Sequence, residues 1–479
     1  MKEALKTTFV LVLLASAILF QGSFSAKGES SEKRFTITST VTYSNNGASV
    51  WDLTGEEYAI SLFMNNSWQS VSLAEHSLSL NSIGYDTDGN LLGFLNFTSL
   101  SPGQSVSYTV KYDVVSRPRL LPNISEEESL FLANISDTLK NEYCRKEGPW
   151  LIDDPNLMSL ATSLAGNETR VLSIVKNLVS WVANDYNIKY DSAEVPRYPN
   201  ETLSEQKGDC DDQAILLITL CRILGIPAYL QIGCIFQFGS YSSDTYWEGH
   251  VTSVLKQIGW HGWAIVYVSP WGWLPVDLTY VYGGLSDPLN AIRGAAVTSQ
   301  GVIQYMNFTH SDYVGNSRHL RDFMESSDNF LVYMEDEMKM IVDNTPPVIG
   351  IPSQNPLKEN VTSYQNVTIT VDVTDLGTGV HNVTLWYSID NGTTWIVLKM
   401  NEIATNTYQE TIPGYGNCTW VTYMIVAYDN YENSAIEDNY GYYYVYHVIP
   451  EFPSFLTLTL FLIATLLTVV AYRRKHQSN

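Results

Sequence analysis

The sequence predicts a multidomain protein in which an α+β core is flanked by two β-sandwich domains and followed by a C-terminal transmembrane helix. Three observations predict it. Apolar and polar residues alternate from Lys33 to about Arg119 and again after Pro347, whereas Ser125 to Tyr186 follows helical spacing. An apolar run from Phe455 to Tyr472 leads directly into Arg473, Arg474 and Lys475. At 479 residues the chain also exceeds one ordinary core, because domains cluster near ~100–150 residues.

Residues 1–26 carry Lys2 and Lys6, an apolar stretch from Phe9 to Phe20, and the small residues Ser23, Ser25 and Ala26, the layout of a secretory signal peptide. The first β-sandwich is expected over 33–119, where Phe35-Thr36-Ile37-Thr38 and Val106 to Tyr112 alternate as half-buried strands. Pro118 and Pro122 punctuate its end, and the core is expected over 124–343. Within the core, Val171, Ile174, Val175, Leu178, Trp181 and Val182 recur at steps of three and four and share one helix face, a packing stripe rather than a ligand site.

After Asn344-Thr345-Pro346-Pro347, residues 345–448 resemble immunoglobulin-like modules of surface proteins, with Val367 to Val373 and Val383 to Tyr387 as strong strands. The acidic segments Asp375 to Gly379 and Asp390-Asn391-Gly392 read as simple turns in preference to calcium loops. The apolar segment 454–472 is expected to cross the membrane, with 473–479 as its cytoplasmic tail and everything before it outside. Ile449-Pro450-Glu451-Phe452-Pro453 resembles the sorting tails of archaeal surface proteins, which implies a hydrophobic tail that is cleaved and replaced by a lipid anchor.

Lys plus Arg number 27 against 50 Asp plus Glu, a formal charge of -23 that repels phosphate backbones, so no nucleic-acid partner is expected. The acidity reads as a solvated exterior. N-x-S/T sequons occur at Asn65, Asn96, Asn123, Asn134, Asn167, Asn200, Asn307, Asn360, Asn366, Asn382, Asn391 and Asn417, and none falls between Cys210 and Tyr280. That distribution fits a glycosylated surface around a bare centre. There is no CxxC pair and no His pair at metal-ligand spacing, so neither a structural zinc nor a cofactor is expected.

The segment from Gly208 to Ala228 is apolar nearly all round in its middle, which predicts a buried helix stopped by Gly225 and Pro227. Cys210 would then sit at the helix N-terminus, where unpaired N–H groups and the dipole favour a thiolate. Asp209, Asp211 and Asp212 oppose that effect, so a cationic partner is needed. His261 opens an apolar strand in Trp260-His261-Gly262-Trp263-Ala264, and Asp277 ends Trp273-Leu274-Pro275-Val276-Asp277 on the next strand. Their side chains share a sheet face only if the connecting loop is odd in length or a bulge compensates.

At these residues the chain resembles the transglutaminase-like superfamily. Gly208, Cys210, Asp212 and Ala214 match its G-x-C-x-D-x-A motif, His261 and Trp263 its histidine strand, and Pro275, Val276 and Asp277 its P-V-D strand. The likeness covers roughly residues 125–285 and implies a papain-like α+β core. It also implies that Cys210 is the nucleophile, His261 the general base and acid, and Asp277 the residue that orients the imidazole. The Cys210 backbone N–H is a candidate oxyanion donor, and Gln206 is a second candidate with a plain surface role as its alternative.

Plainer readings stand beside these. His250 competes with His261, Cys221 and Cys234 are core or bridged residues, and Cys144 and Cys418 are undecided. Trp260, Trp263, Trp271 and Trp273 form a core and cleft wall, with substrate stacking as the alternative. Three functions remain open: a cell-surface peptidase or amidase acting on an extracellular protein or cell-wall peptide, a glutamine acyltransferase that cross-links amines, and a binding scaffold that has lost catalysis.

Overall fold

The computed structural model describes residues 32–54, 58–327, 329–449 and 454–476. The expected signal peptide and most of the Ile449–Pro453 tail lie outside them. The chain divides into two compact units, 1–341 and 342–479.

In the first unit the strands are β1 (Lys33–Asn45), β2 (Ile60–Ser61), β3 (Gln69–His76), β4 (Leu80–Tyr85), β5 (Leu91–Leu95) and β6 (Ser105–Ser116). Helices α1 (Asp137–Tyr143), α2 (Pro155–Ala165), α3 (Val171–Val182), α4 (Pro199–Glu205) and α5 (Cys210–Ile223) follow. Strands β7 (Ala228–Tyr246), β8 (Val251–Val268) and β9 (Gly272–Val276) come next, then α6 (Asn290–Arg293), β10 (Val302–Phe308), α7 (Tyr313–Ser326) and β11 (Phe330–Ile341).

The boundary expected between 119 and 124 is not a break in the fold. One eight-stranded sheet runs β10-β7-β8-β11-β1-β6-β3, with β9 added on β8. Strand β1 pairs antiparallel with β11, Arg34 opposite Ile341, and β11 in turn lies parallel to β8, Val332 opposite Val251. The amino-terminal strands therefore extend the core sheet, and the small sheet β2-β5-β4 packs its apolar residues against them. The alternation of β1 is visible in its burial, with Phe35, Ile37, Val41 and Tyr43 inside.

On the other part of the sheet, α2, α3 and α5 enclose the largest core, and the stripe Val171, Ile174, Val175, Leu178 and Val182 is buried in it as the spacing predicts, with Trp181 only partly so. Trp150 is fully enclosed there; its indole Nε1 donates to the Thr309 carbonyl at 2.8 Å and the Arg222 guanidinium lies 4.3 Å from its ring centroid.

In the second unit, strands β12 (Val348–Ile349), β13 (Ser353–Asn355), β14 (Val367–Thr374), β15 (Val380–Ser388), β16 (Ile396–Lys399), β17 (Asn401–Ala404), β18 (Thr407–Ile412), β19 (Trp420–Asp429), β20 (Ser434–Glu437) and β21 (Tyr444–His447) form two five-stranded sheets around one apolar core. Both expected acidic turns form. Asp375 accepts from the Gly377 and Gly379 N–H groups, and Asp390 from the Thr394 N–H and hydroxyl. Asp375 also approaches Asp343 and Asp429, one oxygen of each lying within 4.8 Å of the others.

Helix α8 (Ser454–His476) follows, and its apolar side chains from Phe461 to Tyr472 are exposed. Among the described residues no helix is long and apolar enough to cross a membrane. Ten of the twelve sequon asparagines are exposed; Asn307 and Asn382 are half-buried, and Asn307 is bonded through its Oδ1 to Gln231.

Candidate active site

Helix α5 begins where its sequence predicts. Asp212 reaches back across the first turn, its Oδ2 accepting from the Asp209 N–H at 3.3 Å. Gly208 is required at this entry, since a Cβ there would lie 2.7 Å from the Asp212 Cβ. Cys210 thus occupies the first helical position and is 9 % exposed.

The hairpin β8–β9 supplies the partners. Val268 pairs with Gly272, so Ser269, Pro270 and Trp271 make an odd loop. That parity places His261 and Asp277 on the same face of the sheet, as their pairing requires. His261 Nε2 and Asp277 Oδ2 are 2.8 Å apart, and both side chains are buried. Asp277 is itself held by backbone: Oδ1 accepts from the Thr279 and Tyr280 N–H groups at 3.1 and 3.0 Å, and Oδ2 from Ala296 at 3.4 Å. With Nε2 engaged, Nδ1 is the ring nitrogen left to exchange a proton.

Cys210 and His261 border one small cavity with Tyr190, Ile235, Gln237, Trp260, Thr279 and Tyr280. The closeness of α5 to β8 depends on Gly262, where a Cβ would lie 2.9 Å from Ile232 Cδ1 and 3.0 Å from Asp211 Cβ. The Gly262 N–H also points its hydrogen bond at the Cys210 sulfur. Trp260 is fixed from behind by its indole N–H, which donates to the buried Asp336 at 3.0 Å.

Gln206 is not brought to this cavity. It caps α4 in the left-handed region at φ 54°, is exposed, and accepts the Lys189 N–H through its carbonyl. The surface role is therefore the one it takes. Gln237, Tyr190 and Thr279 border the cavity instead, and the buried Thr279 hydroxyl has no partner. Only Thr279 carried a signal in the sequence, standing two positions beyond Asp277. His250 is structural: its Nδ1 meets the Phe330 carbonyl at 2.7 Å, away from the cavity. Trp263 is a buried core residue, its indole N–H donating to Gln231 at 3.1 Å. None of the five cysteines is in a disulfide; Cys221 and Cys234 are core residues, and Cys418 is exposed.

The electrostatics oppose a resting thiolate. Burial pushes the Cys210 thiol well above its ordinary range, and Asp211 and Asp209 push it further, while the Gly262 N–H pulls the other way. Asp209, Asp211 and Asp212 are all buried, with one guanidinium, Arg197, bonded to Asp212 at 2.7 Å. Burial and then Asp211 raise Asp212 to about 7, against the downward pull of Arg197. Desolvation and the neighbouring carboxylates thus outweigh the helix dipole at Cys210.

This gives a pH dependence. A thiol with a raised pKa is protonated at neutral pH, so alkylation of Cys210 should still be rising with pH beyond the ordinary thiol value of ~8.5. Asp211→Asn removes the largest charge acting on the sulfur and should accelerate labelling at pH 8. Peptide mass spectrometry, with exposed Cys418 as the internal standard, reads this directly.

Residues 158–278 match the family model described as transglutaminase-like superfamily. A comparison with curated proteins gives no match. Among solved structures, the chain is similar to a "putative cysteine protease" from Cytophaga hutchinsonii at 17 % identity, covering 66 % of this chain and 94 % of that one with a TM-score of 0.41. It is also similar to red sea bream transglutaminase at 10 % identity, covering 86 % of this chain and 77 % of that one with a TM-score of 0.23. The archaeal likeness of the tail finds no support in these comparisons. Segment 158–278, which carries α5, Cys210, His261 and Asp277, is a transglutaminase-like superfamily domain.

Proposed function

We propose that this domain is a cysteine hydrolase, a peptidase or amidase that works through a thioester on Cys210. The observation that carries the reading is the buried 2.8 Å contact of His261 Nε2 with Asp277, on a cavity that Cys210 also borders. Because the thiol is protonated at rest, His261 acts as a general base during attack rather than as half of a preformed ion pair. Nδ1 takes the thiol proton as sulfur adds to the amide carbonyl. The C–N bond then breaks, Nδ1 protonates the leaving amine, and a thioester remains. Water attacks it, His261 accepts the water's proton and returns it to sulfur, and a carboxylic acid leaves. Asp277 holds the imidazole in the tautomer that has Nδ1 free and stabilises its charged form. The Cys210 backbone N–H, with the Gln237 carboxamide from the same cavity, is the proposed oxyanion site.

The setting of this chemistry is also a proposal. The 1–26 leader, the sequons, and the apolar sequence run from Phe455 to Tyr472 before Arg473, Arg474 and Lys475 support an exported, membrane-tethered protein acting on an extracellular protein or cell-wall peptide. One observation favours a non-catalytic scaffold: the carboxylates around Cys210 raise its thiol instead of lowering it. Reaction with p-nitrophenyl acetate decides between them. The hydrolase forms an acetyl-Cys210 thioester, trapped by acid quench, and turns it over in water; a scaffold leaves Cys210 unacylated. Transfer of most of the acetyl group to added glycinamide in preference to water would assign the acyltransferase reading.

A further inference from the structure

A second cavity, of ≈ 230 Å³, lies on the same sheet face as His261. Among its walls are Ile265 on β8, Gln231 and Tyr229 on β7, and Trp273 on β9. Ile265 stands four residues along β8 from His261, about 13 Å at ~3.3 Å per residue. Trp68 and Arg119, from the amino-terminal strands and the segment after them, close the other side.

Arg119 sets the chemistry of this cavity. It is 8 % exposed, yet among the described residues no carboxylate pairs with it. Its Nη1 donates to the Val297 carbonyl, and Nη2 donates to the Val302 carbonyl at 3.0 Å and to Gln69 Oε1 at 3.4 Å. Its Nε has no partner. Trp68 covers the guanidinium at 5.5 Å from the ring centroid. Burial lowers its pKa to about 10, with no acid to offset the cost. A buried cation held only by neutral acceptors is electrostatically incomplete, and an anion completes it.

The neighbouring polar groups do not compete for that role. Gln231, Gln304, Asn66 and Asn307 are bonded to one another, Gln304 Nε2 to Gln231 Oε1 at 2.6 Å and Asn66 Nδ2 to Gln304 Oε1 at 2.6 Å, so they form a preorganised neutral rim. The indoles of Trp68 and Trp273 and the Tyr229 ring supply flat apolar walls. This combination suits a carboxylate carried on a short aliphatic stem.

We propose that this cavity is a binding site for the carboxylate side chain of an acidic peptide, with Arg119 as its counter-charge and Trp68 and Trp273 enclosing the stem. The site goes beyond the hydrolase reading and does not depend on it, because equilibrium binding requires no reaction at Cys210.

Isothermal titration of the full-length protein in detergent with N-acetyl-glutamate N-methylamide tests it, against the isosteric glutamine compound and sodium phosphate. The glutamate probe is expected to bind at least about tenfold tighter than the glutamine probe, because only the carboxylate makes charge-assisted hydrogen bonds. Arg119→Met should abolish the difference. Thr298→Glu, which brings a carboxylate to the same wall without removing Arg119, should abolish it too, and it keeps the test decisive if the Arg119 variant fails to fold. Equal binding of the glutamate and glutamine probes, binding of phosphate as tight as that of the glutamate probe, or full retention of the preference in Thr298→Glu would each overturn the assignment.

Discussion

Asp277→Asn is expected to slow acylation of Cys210 by p-nitrophenyl acetate by about 10⁴-fold, with the fold unchanged. The size follows from the hydrogen bonds. Oδ1 of Asp277 accepts two backbone N–H groups, from Thr279 and Tyr280. An asparagine keeps its carbonyl oxygen on those donors and turns its NH₂ toward His261 Nε2. Nε2 must then accept, the ring proton moves to Nδ1, and the nitrogen that should take the thiol proton already holds one. Stopped-flow release of p-nitrophenol measures the loss, and an unchanged circular dichroism spectrum separates it from unfolding. A loss below about tenfold would mean that Asp277 only serves the turn that follows it.

The second large effect is on stability. Trp150→Ala should destabilise the first unit by about 3–5 kcal/mol. Trp150 is 0 % exposed, so its removal leaves a cavity, deprives the Thr309 carbonyl of a donor, and uncovers one face of the buried Arg222. Urea unfolding, followed by the fluorescence of the remaining tryptophans, reads the change as a shifted midpoint with an unchanged slope. A loss under ~1 kcal/mol would mean that this core closes around the missing ring.

The centre of the site was legible because its determinants are local. A glycine, an aspartate that accepts from the N–H preceding Cys210 and a run of apolar residues place Cys210 at a helix start whatever the rest of the chain does. The His261–Asp277 pairing depended on one parity, which the Ser269–Trp271 loop supplies. Gln206 stayed open between two roles because its proximity to Cys210 in sequence says nothing of direction; a left-handed cap turns it to solvent. Gln237 and Tyr190 gave no signal, since a polar residue at a strand position reads as surface until the opposing element is known.

The amino-terminal strands were legible as strands but not as part of the core sheet. The contact between β1 and β11 joins residues such as Phe35 and Met340, and no local pattern reports a pairing across that separation. The thiol's electrostatics were readable only in sign. The three aspartates were visible, but whether they or the helix dipole prevail depends on burial; all three are buried, and Asp211 and Asp209 act on the sulfur.

The most direct test of the account is the rate of Cys210 alkylation at pH 7 in wild type and His261→Ala, each normalised to Cys418 in the same molecule. A general base on Nδ1 predicts labelling of wild type at least about tenfold faster than of the variant. Equal rates would show that His261 does not act on the sulfur, and would contradict the catalytic reading of the site.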